Sequence, residues 1–448
     1  MIGRLVLIVA VLTYLAPSLF ARSVPVTGGS AEGGTVLCVA VDPVSPEVIY
    51  AGTWAGLYRS TDAGLNWSLI KLPFADPVFS LTWDSGQSRL FAGGSGRVFV
   101  ADSSGSSWGT LSIPTDGAPP VTAILVDSTI SQALFAGTSG RGLFSSNDGG
   151  LNWTAIMPGM ADIERPGILN VNDIARESSS GTVFVATWDG LFRVGQGGLL
   201  RVDYSRTSAL VVRPQDSVLY AAVGWDIRYR DPVFSVYGTT IGWKTLNAIG
   251  NAPYLIDLCF DPNDPSILWA GATSGLYRGR FEVDPATNEQ GIAWTMIGEI
   301  EDRIGSVACS AAKSGTVFAA GLSGVWKSAD AGKSWLVSNA GIRSSRFLDV
   351  VGVSGDPGTI LGVTLDPGPV GGWVRVLRSS DFGATWQLSF EDRDYSPPYP
   401  GKPSLAIDPR PPGPGTLYLD GRRASMDLGQ TWTADIPFTG GTAGSFYV

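Results

Sequence analysis

The sequence predicts an all-β chain, a β-propeller of repeated four-stranded antiparallel blades. Two observations carry the prediction. The pattern Ser-x-Asp-x-Gly-x-x-Trp occurs five times, and strand-like runs joined by tight turns recur at a spacing of roughly 40 to 50 residues, the mark of a repeat architecture. A high content of turn formers, Gly 58 and Pro 29 in 448 residues, agrees with many short strands.

The first unit shows the elements in order. Val36 to Val41 reads as a strand, and Asp42-Pro43 begins a turn because proline fixes φ and cannot donate to a ladder. Val48 to Thr53 is a second strand, Trp54-Ala55-Gly56 a tight turn, Leu57 to Arg59 a third strand and Trp67 to Lys71 a fourth. The second strand recurs at Leu90, Leu134, Val183, Val218, Leu268, Val317, Ile360 and Leu417. Nine units result, and a ring of eight or nine blades is expected over residues 35–448, after a leader at 1–21 and a lead-in at 22–34.

The repeated pattern falls between the third and fourth strands of a unit. Its copies are Ser60, Asp62, Gly64 and Trp67; Ser146, Asp148, Gly150 and Trp153; Ser328, Asp330, Gly332 and Trp335; Ser379, Asp381, Gly383 and Trp386; and Ser425, Asp427, Gly429 and Trp432. Ser and Asp side chains hydrogen-bond the loop backbone, Gly supplies a positive φ, and Trp buries a large ring between sheets. Trp108, Trp243 and Trp294 hold the same place in units that lack part of the pattern, whereas the unit around Val194 to Leu200 has neither its Asp nor its Trp.

These hairpins resemble the Asp-box, or bacterial neuraminidase repeat, of a propeller superfamily. That superfamily includes sialidases, xyloglucan-cleaving hydrolases, sortilin-type receptors and photosystem assembly factors. The resemblance implies the fold over nearly all of the chain past its leader, with the boxes structural and remote from any catalytic face. The sialidase Arg-Ile-Pro segment is absent, and Arg59, Arg193 and Arg278 occupy a repeat position on the third strand, expected to be an exposed strand face. At the segment resembling the xyloglucanase Arg-Thr-Asp-x-Gly-Gly-x-Tyr-Arg, Trp54 stands where the acidic residue would be.

Composition narrows the chemistry. There is no histidine, which removes it as base, ligand or triad member. A net charge of -9 argues against binding nucleic-acid phosphates. Arg4, the apolar run Leu5 to Leu15 and a small-residue region ending at Ala21 read as an export signal. A secreted or periplasmic location follows, with no membrane span once the signal is cleaved. Cys38, Cys259 and Cys309 each lie in an apolar strand and are expected to be buried free thiols, with a Cys259–Cys309 bridge as the alternative.

Binding candidates cluster on the face carrying the turns between second and third strands. They are Trp54, Arg97, Arg141, Trp188, Asp189, Trp225, Asp226 and Arg228, since flat rings stack and forked donors orient a ligand. Carboxylates on connectors, Asp162, Glu164, Glu299, Glu301, Asp302, Glu391, Asp392 and Asp394, read as solvated charge or as an acid–base set. The expected function is a monomeric, non-enzymatic scaffold for a protein or glycan ligand, without metal or cofactor. A carboxylate-dependent glycoside hydrolase and an assembly factor for a membrane complex are the alternatives.

Overall fold

The computed structural model describes residues 33–433, except 85–88, 103–104, 128–131, 157–165, 178–179, 225, 231–242, 247–248, 250–253, 284–289, 301, 345–346, 354–355, 368–371, 381–386, 396–402, 409–415 and 420–422. The expected leader, Trp225, the loop of the fourth box and the carboxylates Asp162, Glu164 and Glu301 lie outside the described residues.

Among the described residues there are eight four-stranded sheets and one three-stranded sheet, each an antiparallel meander. They correspond to the nine units: blades 1 to 7 at 36–69, 80–112, 121–156, 171–203, 207–245, 255–296 and 304–337, then blade 8 at 347–395 and blade 9 at 405–425. In blades 1 to 7 the first strand of each packs against the first strand of the next, which makes it the inner strand around an axis, and the first strands of blades 8 and 9 pack against each other.

Closure occurs after seven blades. The inner strand of blade 7, Ile304–Cys309, packs on that of blade 1, Val36–Val41, and the Val39 amide donates to Ser306 Oγ at 3.3 Å. One apolar cluster spans this seam, joining Val36, Val39 and Ile49 to Phe318, Ala320 and Val325. The chain leaving blade 7 latches the seam. Trp67 donates its indole N–H to the Ser338 carbonyl at 2.8 Å, and the Gly33–Gly34 strand pairs in parallel with Arg343–Ser344. Blades 8 and 9 follow outside this ring and share their own apolar cluster, from Val353 to Leu419. The number of repeats is the nine read from the sequence, whereas their grouping into seven and two depends on which inner strands meet.

Blades 8 and 9 are tied to the ring through Arg375. Its guanidinium donates to the Leu322 carbonyl at 2.6 Å, to Ser323 Oγ at 3.2 Å and to Glu391 Oε1 at 3.1 Å.

The four described Ser-x-Asp-x-Gly-x-x-Trp hairpins are alike. In the first, Ser60 Oγ accepts from the Gly64 amide at 2.8 Å and donates to Asp62 Oδ1 at 2.8 Å. Asp62 in turn accepts from the Asn66 amide at 2.9 Å and side chain at 2.8 Å. Ser146 and Asp148, Ser328 and Asp330, and Ser425 and Asp427 repeat this arrangement. The box glycine has a second duty besides its positive φ. In three of the four it lies on the second-strand side chain of the preceding blade, Gly64 on Phe318, Gly332 on Trp269 and Gly429 on Leu361, while Gly150 lies on Leu111 of the preceding blade's fourth strand.

The basic residues of the third strand pack on the same side chains. Arg59 stands across from Tyr50 with its guanidinium 5.6 Å from the ring centre, Arg278 likewise over Trp269 at 5.9 Å, and Lys327 over Phe318 at 5.9 Å. Lys327 also donates to the carbonyl of Ala63 in the blade 1 box at 2.6 Å, as Arg378 does to Leu428 in blade 9 at 2.9 Å. The expectation of an exposed strand face at Arg59 and Arg278 is therefore corrected: both are half-buried, because the ring beneath and the next blade cover them. Blade 4, without a box, turns between its third and fourth strands through Gln196-Gly197, with Gly195 paired to Gly198.

Replacement of two positive-φ glycines, Gly140 in the blade 3 turn between second and third strands and Gly332 in the blade 7 box, separates strain from overlap. Gly140→Ala, at φ +87° with open space around its Cβ, should cost about 1–2 kcal/mol from backbone strain. Gly332→Ala, at φ +84°, adds overlap with the Trp269 ring and should cost about 1–3 kcal/mol more. Urea unfolding of both variants checks the order, and equal losses would show that the ring contact is unimportant.

Candidate functional site

Turns between second and third strands share one face of the ring with the connectors between blades, while the box hairpins lie on the other. On the first face, blades 4 to 6 bring together aromatic and basic side chains. Trp188 lies in the blade 4 turn and is 50% exposed. The exposed Arg206, on the connector from blade 4 to blade 5, places its guanidinium 5.0 Å from the Trp188 ring centre and 4.8 Å from that of Tyr254. Tyr254 comes from the connector into blade 6, and its hydroxyl has no hydrogen-bond partner among the described residues. Tyr204, 70% exposed, stands beside this stack with the Arg201 guanidinium 4.6 Å from its ring centre.

The surrounding charges neutralise one another. Asp189 pairs with Arg201 at 3.3 Å, and Asp203 pairs with Arg228. Arg201 is further fixed over the Phe192 ring at 4.4 Å. Among the described residues no carboxylate pairs with Arg206. The site thus offers an exposed indole, an exposed phenol and a guanidinium within about 5 Å of two ring centres, groups suited to stacking and to donating hydrogen bonds.

Of the sequence candidates, Trp188, Asp189, Asp226 and Arg228 fall on blades 4 and 5, near this stack. Asp189 and Arg228 are engaged in ion pairs with Arg201 and Asp203. Trp54 packs edge-on to Phe79 at 5.5 Å, and Arg97 pairs with Asp76 at 3.3 Å while covering the Phe74 ring at 4.1 Å. Those two belong to a separate region between blades 1 and 2. Arg141, exposed on blade 3, donates to the Asp116 carbonyl at 3.3 Å. Arg201, Tyr204, Arg206 and Tyr254 were not read from the sequence, although Tyr204-Ser205-Arg206 directly follows the one described unit whose third-to-fourth-strand turn is a bare hairpin.

The connector carboxylates do not form an open acid–base pair among the described residues. Asp302 is 2% exposed and accepts from the Ser323 amide at 2.8 Å. Burial raises its pKa above the usual carboxylate range, and Arg375 opposes the shift. Glu391 and Asp392 pair with Arg375 and Arg423, and Glu299 Oε2 accepts from the Trp335 amide at 3.1 Å. The expectation of solvated loop charge is corrected for Asp302, Glu391 and Asp392, each of which is held against a basic side chain or a backbone amide.

Two further carboxylates lie on inner strands and reach the neighbouring blade. Asp173 and Asp257 are third residues of inner strands and accept from the next blade, at the amides of Leu210 and Val307, both at 2.7 Å. Burial pushes Asp173 up to about 7 and Asp257 up to about 6; their mutual repulsion adds to the shift of Asp173, and the backbone amides oppose it. Box carboxylates move the other way. Asp62, Asp148 and Asp330 are lowered to about 2, by donors four residues on and then by the box serine.

Comparison with known proteins places the chain among propellers. No protein-family model matches it. It is 25% identical over 255 residues to the photosystem II assembly lipoprotein Ycf48 of a Synechococcus strain, an alignment covering 52% of this chain and 70% of that protein. It is 28% identical over 120 residues to a xyloglucanase of Hypocrea jecorina, covering 25% of this chain and 14% of the enzyme. The GH74 xyloglucanase structure from Xanthomonas campestris superposes with a TM-score of 0.60 at 16% identity, over 91% of this chain and 74% of that one. The structural likeness establishes the propeller architecture. Among the described residues no helix is long and apolar enough to cross a membrane.

The opposed carboxyl shifts set the pH response. Asp173 and Asp257 bind protons more tightly folded than unfolded, so stability should fall as pH rises from about 4 to about 7. The box carboxylates contribute stability above about 4 that is lost as pH falls towards 2. A melting-temperature maximum near pH 4 to 5 is expected, and Asp173→Asn combined with Asp257→Asn should flatten the alkaline limb. An unchanged alkaline slope in the double variant would place its origin elsewhere.

Proposed function

We propose that this chain is an exported, non-enzymatic binding propeller that holds a protein or glycan ligand on the face of blades 4 to 6. The observation that carries the reading is the Trp188–Arg206–Tyr254 stack, exposed and with no carboxylate on Arg206 among the described residues. A ligand presenting a flat apolar face would cover Trp188 and Tyr204, while its acceptor oxygens would meet the Arg206 N–H groups. The rings hold the guanidinium in place, so little side-chain entropy is lost when the ligand arrives.

Similarity to Ycf48, named for photosystem II assembly, supports a protein ligand and a role in assembling a membrane complex. Similarity to xyloglucanases supports recognition of a glycan. The engaged or buried states of Asp302, Glu391 and Asp392 favour binding over hydrolysis: Asp302 accepts a backbone amide of blade 7, Glu391 pairs with Arg375 within blade 8, and Asp392 pairs with Arg423 of blade 9.

Glycan and peptide arrays probed with the purified chain test the proposal. Trp188→Ala and Arg206→Ala should each weaken the ligand found by about tenfold or more, corresponding to roughly 1.4 kcal/mol. Leu151→Ala, on the exposed opposite face, should leave affinity unchanged. Equal binding by all three variants would move the site away from blades 4 to 6.

A further inference from the structure

We propose that Cys259 and Cys309 are a disulfide-forming pair that staples blade 6 to blade 7 when the protein meets a disulfide oxidant. The placement follows from the inner strands. Asp257, third in its strand, reaches the amide of Val307, so this residue of blade 6 faces the fourth residue of the blade 7 strand. Side chains two apart on a strand share a face. Cys259, two residues beyond Asp257, therefore faces Cys309, two residues beyond Val307. Both thiols pack in the same apolar cluster between these blades, with Trp269 and Val317. Just beyond them the first-to-second-strand loops are already joined, by Asn263 Nδ2 donating to the Ser310 carbonyl at 2.8 Å.

The electrostatics agree with close approach. The Cys259 sulfur, and after it burial, pushes the Cys309 thiol up. Cys38 is separate: it is buried in another cluster, between blades 1 and 2, with its thiol towards the Val78 carbonyl at 3.8 Å. Cys259 and Cys309 are each partly exposed as residues, whereas Cys38 is buried.

The chemistry balances with a small-molecule disulfide as oxidant. A thiolate from the pair attacks that disulfide, forming a mixed disulfide and releasing one thiol. The second cysteine then attacks the protein sulfur, closing the Cys259–Cys309 bond and releasing the other thiol. Two S–H bonds are lost and one S–S bond is formed. The two electrons and two protons end on the oxidant, now a pair of thiols. The bridge closes a loop of about 50 residues and restricts the unfolded chain accordingly. A raised thiol pKa makes the first attack slow near neutrality and faster in alkaline buffer.

The test is equilibration of the full chain with oxidised glutathione at alkaline pH, followed by thiol counting after denaturation and non-reducing peptide mapping. The reduced chain should show all 3 thiols. The oxidised chain should retain only that of Cys38, carry a peptide linking Cys259 to Cys309 and melt at a higher temperature. Cys38→Ser should preserve the bridge and the shift. Cys259→Ser and Cys309→Ser should each abolish both while melting near the reduced wild-type temperature. Stable glutathione adducts on Cys259 and Cys309, a bridge to Cys38, or three thiols surviving equilibration would each overturn the proposal.

Discussion

One tie between inner strands recurs at four of the seven junctions of the ring. The third residue of one inner strand reaches the fourth residue of the next: Asp173 to Leu210, Asp257 to Val307, and Ser306 to Val39. Thr82 makes the same reach in blade 2 by donating to the Ile124 carbonyl at 2.8 Å. Among the described residues the inner strands of neighbouring blades share no ladder, and these contacts cross the junction between them. A register shift precedes the third residue in seven inner strands, from Val36/Cys38 to Phe347/Asp349. The extra residue turns the side chain out of its own sheet and towards the neighbour. The tie from Ser306 returns to blade 1, whereas Asp349 in blade 8 reaches Leu405 in blade 9 at 3.0 Å. That difference closes the ring at seven and leaves the last two blades paired with each other.

These ties oppose the general cost of burying charge. Each carboxylate accepts two amides, one from its own strand and one from the neighbour, yet burial still raises Asp173 and Asp257. Desolvation outweighs two good hydrogen bonds at these positions. Charge is handled differently at the rim, where box carboxylates stay hydrated and collect donors, with their pKa values lowered. The molecule therefore carries carboxyl groups of opposite tendency on its inner strands and at its edge. The inner-strand set crosses the junctions between blades, and the rim set holds local turns.

The architecture was legible because its signals are local. A box needs a Ser, an Asp and a Gly within five residues, and its strands follow directly, so the second strands fell where the sequence placed them. The inner-strand carboxylates were not legible: an Asp inside an apolar strand acquires its role only when the next blade supplies an amide about forty or fifty residues away. Grouping into seven and two depends likewise on contacts spanning most of the chain, such as Trp67 with Ser338. The candidate site was half legible. Trp188 and its charged neighbours stood out in a turn, but the residue between the rings, Arg206, comes from a connector with no motif.

The position of that site follows from what blade 4 lacks. Other described fourth strands in the ring that follow an intact box are short, as at Ser68–Leu69 and Leu336–Val337, because the box consumes the residues between the third and fourth strands. In blade 4 a two-residue turn leads at once into a fourth strand of six residues, Gly198–Asp203. The longer strand carries Arg201 up to Asp189 and delivers Asp203, Tyr204 and Arg206 to the face of the turns between second and third strands in succession. Asp203 then captures Arg228 from blade 5, and Arg206 bridges Trp188 and Tyr254 across three blades. A departure from the repeat at the rim has thus produced, at the opposite face, the aromatic and cationic surface of blades 4 to 6.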